Sequence, residues 1–171
     1  MAYPPTEPLG PANDRGAFDC GDEALNRFLK QQARQDQDRR ASVCWVLPDP
    51  LAPNTIQGYY TLSAFSVRLS ELPPDVVKKL PRYPDVPAAL LGRLAVDLTR
   101  RRKGIGEHLM LDAMNKVLRH SEAMGTVVLV VDAKHEKSAA YYQAHGFIPF
   151  LSAPLRLFMH LDTIAQAFAS M

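Results

Sequence analysis

Leu90-Leu91-Gly92-Arg93-Leu94-Ala95-Val96, followed a few residues on by Arg101-Arg102-Lys103-Gly104-Ile105-Gly106, joins two segments of opposite character. The first part is an apolar run of strand length. The second is a basic loop with two glycines, and a helix opens at Gly104 and runs to His120. Ile105, Leu109, Met110, Ala113, Met114, Val117 and Leu118 lie on one stripe of that helix. A helix N-terminus presents unpaired N–H groups and a partial positive charge, so it favours anions. Glycine lets the backbone approach a ligand closely. Arg100–Lys103 add formal charge, and the loop therefore predicts a polyphosphate ligand.

Working outward, Thr126–Val131 is almost purely apolar and β-branched, the pattern of a strand buried on both faces. Glu136–His145 reads as a helix closed by Gly146, a C′ glycine. Leu155–Leu161 reads as a last strand and Asp162–Ala169 as a terminal helix. Upstream, Asp22–Gln32 is a short amphipathic helix with Asp19 or Asp22 as its cap. The polar continuation Gln31–Arg40 is a solvated helix end or a loop. Ser42–Leu47 and Thr55–Val67 read as strands joined by a turn over residues 48–54. Pro73–Leu80 holds one helical turn, and residues 81–87 form a proline-rich linker. Residues 1–14 carry four of the fourteen prolines and read as a loose leader. Residues 15–171 then form a single α/β domain, with helices covering a central sheet.

The whole chain bounds the reading further. Its 171 residues suit one domain, and 47% apolar residues suit an ordinary core. No apolar run has the length of a membrane span, and Met1–Pro5 lack the regions of a signal peptide. Cys20 and Cys44 make neither a disulfide framework nor a metal spacing. A reducing cytosol is the expected compartment, and no metal is expected. The net charge of +2 does not by itself imply nucleic acid.

Three ligand classes use loops of this kind. A nucleoside-triphosphate loop needs Gly-x-x-x-x-Gly-Lys-Ser/Thr, which is missing. A dinucleotide loop needs Gly-x-Gly-x-x-Gly early in the chain; here position 109 is Leu and the motif comes late. The coenzyme A loop, Arg/Gln-x-x-Gly-x-Gly/Ala, is matched throughout by Arg101–Gly106.

With Leu94-Ala95-Val96-Asp97 before that loop and Tyr141-Tyr142-x-x-x-Gly146-Phe147 after it, residues 88–160 resemble the GNAT family of N-acetyltransferases. Phe18-Asp19-Cys20-Gly21, Leu25-Asn26-x-Phe28-Leu29, Gly58-Tyr59-Tyr60-Thr61-Leu62-Ser63 and Gly92-Arg93 extend the resemblance. They make the chain similar to one branch, the acetyltransferase toxins of bacterial toxin–antitoxin pairs. The resemblance implies a GNAT fold: a central mixed, mostly antiparallel sheet, splayed at the cofactor strand, with helices on both faces. It implies acetyl-coenzyme A as co-substrate, the α-amine of aminoacyl-tRNA as acceptor and a block of translation. It also implies a ribbon-helix-helix antitoxin and a homodimer. An acetyltransferase for a small amine or a protein N-terminus, or a non-catalytic coenzyme A-binding module, are the alternatives.

The same resemblance distributes roles. Arg101, Arg102, Lys103, Gly104, Ile105 and Gly106 would wrap the pyrophosphate. The backbone of Leu94, Ala95 and Val96 would pair with the pantetheine arm. His135 stands where many members carry an asparagine that contacts the coenzyme, and Ser138 follows it one turn later. Tyr142 is the candidate general acid, because a phenol suits protonation of a departing thiolate. Tyr141 is expected to pack. Arg93, Arg34, Lys30, Arg40, Lys78 and Arg82 are candidates for holding RNA phosphates. Arg93, inside an apolar strand, needs a partner, either RNA or a structural carboxylate. His108 and Asp112, one helical turn apart, are expected on the solvent face.

Overall fold

The computed structural model describes residues 3–171; Met1 and Ala2, the first two residues of the leader, lie outside the described residues. The chain divides into two compact units. Residues 3–63 with Gly92–Ala113 form the first, and Ala64–Leu91 with Met114–Met171 form the second.

The first unit begins with β1 (Glu7–Pro8), which pairs antiparallel with β2 (Val43–Asp49). Between them α1 (Glu23–Arg27) starts at Asp22, whose carboxylate accepts from the N–H groups of Ala24 and Leu25. A π-helical turn (Phe28–Gln32) and α2 (Ala33–Asp38) follow directly, so the polar continuation is helical. β2 turns at once into the long β3 (Ala52–Arg68), which shortens the expected 48–54 turn to its centre. The register slips at Pro48, which has no N–H to give to the ladder. Phe18, Leu29, Cys44, Val46, Ile56, Tyr59 and Ala95 form the core of this unit. The Tyr59 hydroxyl reaches the Leu25 carbonyl at 2.7 Å, which satisfies the polar tip of a ring fully out of solvent. The expected loose leader carries β1 and buries Thr6 and Leu9.

In the second unit α3 (Pro74–Val77) precedes β4 (Asp85–Val96), which starts inside the expected linker and ends in the first unit. β4 pairs parallel with β5 (Val128–Asp132), from Ala88↔Val128 to Leu91↔Val131. Its residues 92–96 run on past the end of that ladder. Val128–Val131 are wholly buried, as their unbroken apolar pattern requires. β7 (Arg156–His160) lies antiparallel to β5 and to the two-residue β6 (Ile148–Pro149). The strand order is β1-β2-β3-β4-β5-β7-β6, a mixed seven-stranded sheet in which the β4–β5 pair is parallel.

The remaining helices are α4 (Ile105–His120), which runs from the first unit into the second, α5 (Glu136–Ala144) and α6 (Leu161–Ala169). Gly146 closes α5 with φ +97°. Val67, Leu72, Val86, Val128, Val130, Phe150 and Phe158 form the core of the second unit. Among the described residues no helix is long and apolar enough to cross a membrane.

Candidate anion cradle and acid site

The first unit builds the anion cradle. β4 ends at Val96, and Asp97 caps a 3-10 turn (Leu98–Arg100) by accepting from the Thr99 N–H at 2.9 Å and the Thr99 hydroxyl at 2.6 Å. The same carboxylate accepts from the Asp19 N–H at 3.1 Å, and the Leu98 N–H donates to the Asp19 carbonyl at 2.8 Å. These hydrogen bonds hold the Asp97 carboxyl below its ordinary pKa against the burial that opposes them. Asp19 is held low by the Gly21 N–H and the Asn26 amide. Sequence reasoning missed Asp97 and Asp19 as a pair. The Asp-x-Thr spacing at 97–99 was the readable signal for half of it.

Beyond this turn the backbone is left-handed at Arg102 (φ +62°) and at Gly104 (φ +76°). Glycine takes that conformation freely, whereas at Arg102 it costs about 1–2 kcal/mol. α4 then begins, with the His108 N–H on the Gly104 carbonyl at 3.0 Å as an opening helical bond. Ile105 is buried, while Arg102, Lys103 and Gly104 are exposed. Exposed basic side chains, two left-handed residues and a sixteen-residue helix pointing its N–H groups at them suit a diphosphate.

Gly58 of β3 brings this frame together. A Cβ there would lie 2.8 Å from Leu109 Cδ1, 2.9 Å from the Ala95 carbonyl oxygen and 3.4 Å from Ile105 Cγ2. Its lack of a side chain lets α4 and the Leu94–Val96 segment pack against β3.

The predicted charges do not all serve the cradle. Arg100 donates to Asp49 at 2.7 Å and to Gln57 at 3.2 Å, inside the first unit. Arg101 donates to the Cys20 carbonyl at 2.7 Å, so its guanidinium fastens the loop to the segment before α1. Arg102 and Lys103 remain the loop's outward charges. Arg93 stands 3.6 Å from the centre of the Phe28 ring. A cation over an aromatic face gives Arg93 a partner within the chain, one other than a structural carboxylate. His108 and Asp112 are not on an open face. Asp112 accepts from Tyr60 at 2.5 Å and from Thr6 at 2.6 Å, and His108 Nε2 is enclosed without a hydrogen-bond partner. The N-terminal residues cover this side of α4, which no periodicity within α4 could reveal.

Lys30 and Arg27 line an open groove of about 470 Å³ with Asp19, Glu23, Asn26 and Gln31. Arg34 pairs with Asp38 at 3.8 Å and reaches the Leu9 carbonyl at 3.4 Å; Arg40 is exposed with φ +62°. Lys78 and Arg82 are exposed on the second unit.

The second unit carries Tyr142 on α5. Its ring is 7% exposed and meets Phe147 edge-on at 5.6 Å. Burial pushes its phenol well above the ordinary value, so it is protonated at neutral pH and able to donate. Tyr141 is 38% exposed rather than packed away, and its ring lies 4.5 Å from that of His145. His135 caps α5: its Nδ1 accepts from the Ser138 N–H at 3.2 Å, with the Ser138 hydroxyl at 3.3 Å. The imidazole thus fills an Asn-like capping role.

Comparison with known proteins adds family evidence to this geometry. Residues 17–147 match the acetyltransferase (GNAT) family. The chain is 28% identical over 151 residues to a tRNA-acetylating toxin of Mycobacterium tuberculosis, covering 88% of each protein. It is 34% identical to AtaT solved in complex with acetyl-methionyl-tRNAfMet, with a TM-score of 0.86 over 95% of this chain and 98% of that one. It is 29% identical to a Tyr-to-Phe variant of the AtaT toxin bound to the C-terminus of the antitoxin AtaR and acetyl-CoA, with a TM-score of 0.79 over 95% and 96%.

Proposed function

This chain belongs to the GNAT family of acetyltransferases, and from that premise we propose that it acetylates the α-amine of aminoacyl-tRNA and so blocks translation. The observation that carries the reading is the cradle at 101–106, in a chain 34% identical to AtaT complexed with acetyl-methionyl-tRNAfMet. Acetyl-coenzyme A is the co-substrate, as in the AtaT complex that contains it. Arg102, Lys103 and the N–H groups opening α4 hold its diphosphate. The backbone of Leu94–Val96, past the end of the β5 ladder, pairs with the pantetheine arm. His135 and Ser138 meet the coenzyme at the start of α5.

The chemistry is direct transfer. The acceptor nitrogen forms a bond to the acetyl carbon, the C–S bond breaks, and the sulfur leaves with the electron pair. Tyr142 supplies the proton that the thiolate takes up; a buried, protonated phenol is suited to this. An α-amine has a pKa near ~8, and the ester link to tRNA lowers it further, so a substantial fraction is neutral and nucleophilic without a dedicated base. The proton that the nitrogen loses on acylation passes to solvent, from which the Tyr142 phenol is restored. Arg93, Lys30, Arg34, Arg40, Lys78 and Arg82 hold RNA phosphates. The partners are a ribbon-helix-helix antitoxin and a second copy of this chain, and the compartment is the cytoplasm, where charged tRNA is found. The AtaT complex with the C-terminus of AtaR supports an antitoxin partner.

The test is incubation with labelled acetyl-coenzyme A and total charged tRNA. Label is expected on aminoacyl-tRNA, and Tyr142→Phe is expected to lose at least about a hundredfold in rate while keeping coenzyme binding by calorimetry. Label on free amines but never on charged tRNA would sink the acceptor; unchanged turnover in Tyr142→Phe would sink the acid.

A further inference from the structure

We infer that Tyr3 is a positioning residue for the phosphate loop, the leading end of a strap, residues 3–8, laid along the first turns of α4. The inference rests on the reading that residues 101–106 take the diphosphate of acetyl-coenzyme A.

Three contacts define the strap. The Tyr3 hydroxyl donates to the Lys103 carbonyl. The Tyr3 ring lies on that of His108, with centroids 5.0 Å apart and planes at 42°. The Thr6 hydroxyl donates to Asp112 at 2.6 Å. Gly104, His108 and Asp112 are spaced by four, so they form one row up the helix. β1 then anchors the strap to β2, and Leu9 is buried immediately after it. The residues after Tyr3 are thus fixed at several points, and the tyrosine is delivered to the loop by a seated segment.

What it grips is the least self-supporting part of the loop. Lys103 sits between Arg102 and Gly104, both left-handed. Arg101 is already fastened to Cys20, and the His108 N–H bonds Gly104 from the helix side. The peptide between Lys103 and Gly104 lies between these two fixed points, and the Tyr3 hydroxyl is the contact on its carbonyl. In a trans peptide the C=O and the following N–H point in opposite directions. Holding the Lys103 carbonyl toward Tyr3 therefore aims the Gly104 N–H the other way. That donor belongs to the set that opens α4 and would meet the diphosphate. Tyr3 contributes by fixing a donor in advance, which lowers the ordering cost of binding.

Tyr3→Phe keeps the ring on His108 and removes the hydroxyl. Its Kd for coenzyme A by calorimetry is expected to weaken about fivefold, the worth of one neutral hydrogen bond. KM for acetyl-coenzyme A should rise by the same factor, with kcat at saturation within about twofold of the wild type. S-acetylpantetheine has no diphosphate, so its kcat/KM should be the same in both proteins. Thr6→Val, which loosens the strap one step further along α4, should give a smaller weakening in the same direction. Equal coenzyme A affinity in wild type and Tyr3→Phe overturns the inference. Equal losses with coenzyme A and with S-acetylpantetheine overturn it too, since they mark a general loss of structure. A wild type that binds neither compound overturns the coenzyme reading beneath it.

Discussion

At the scale of single residues, the cradle depends on a side chain that is missing. Gly58 lies within 2.8–2.9 Å of Leu109 Cδ1 and the Ala95 carbonyl oxygen, measured from where a Cβ would stand. Leu109 can swing its terminal methyl, but the Ala95 carbonyl belongs to β4 backbone and cannot yield without moving the strand. Gly58→Ala is therefore expected to destabilise the fold by about 1–3 kcal/mol, the ordinary cost of overpacking. It should also weaken coenzyme binding, because the displaced backbone belongs to the Leu94–Val96 segment. Urea titration checks the first effect and calorimetry the second; an unchanged midpoint would mean that β3 and β4 are looser here than the distances say. Arg93 teaches a related lesson. Its need for a partner was readable from an arginine in an apolar strand, but the partner was not. Phe28 lies far away in sequence, and its place on the apolar face of a short helix marks it only as core.

At the scale of elements, legibility followed length and periodicity. α4 was readable because its apolar stripe recurs over sixteen residues, β5 because its run is unbroken and β-branched, and α5 because Gly146 closes it. β1 and β6 were not, because two residues cannot show an alternation. The π-helical turn at Phe28–Gln32 has no compositional mark, and its neighbours alone gave the helix. β4 extended back to Asp85 because pairing with neighbouring strands overrides the prolines that suggested a linker. Caps were partly legible: Asp22 is an expected residue type at its position, whereas His135 is not. Since the His135 ring accepts from the Ser138 N–H, His135→Ala should cost about 1 kcal/mol of stability. His135→Asn should restore it, as an amide oxygen can take the same N–H. Thermal melts of the three proteins decide this; equal melting points for wild type and His135→Ala would show that the ring does not cap the helix.

At the scale of the whole molecule, charge is what the sequence understates. Twenty basic residues against eighteen acidic ones leave a net charge of +2, too little for a strong long-range field on a polyanion. Many of the basic groups are occupied internally: Arg100 on Asp49, Arg156 on Asp132, Arg101 on Cys20. If the acceptor is an RNA, the exposed groups Lys30, Arg40, Lys78 and Arg82 are the ones open to local contacts with it. Contacts of that kind release counterions and weaken with salt, by close to one power of concentration per phosphate neutralised. If about four phosphates are engaged, affinity for charged tRNA falls about a hundredfold between 50 and 200 mM salt. A small amine or a protein N-terminus brings no such polyanion, so its KM would stay nearly flat across the same range. Measuring KM for charged tRNA and for acetyl-coenzyme A over one salt series separates the cases. A steep rise for tRNA beside a shallow one for the coenzyme supports RNA as the acceptor, and a flat tRNA response removes the phosphate contacts from the reading.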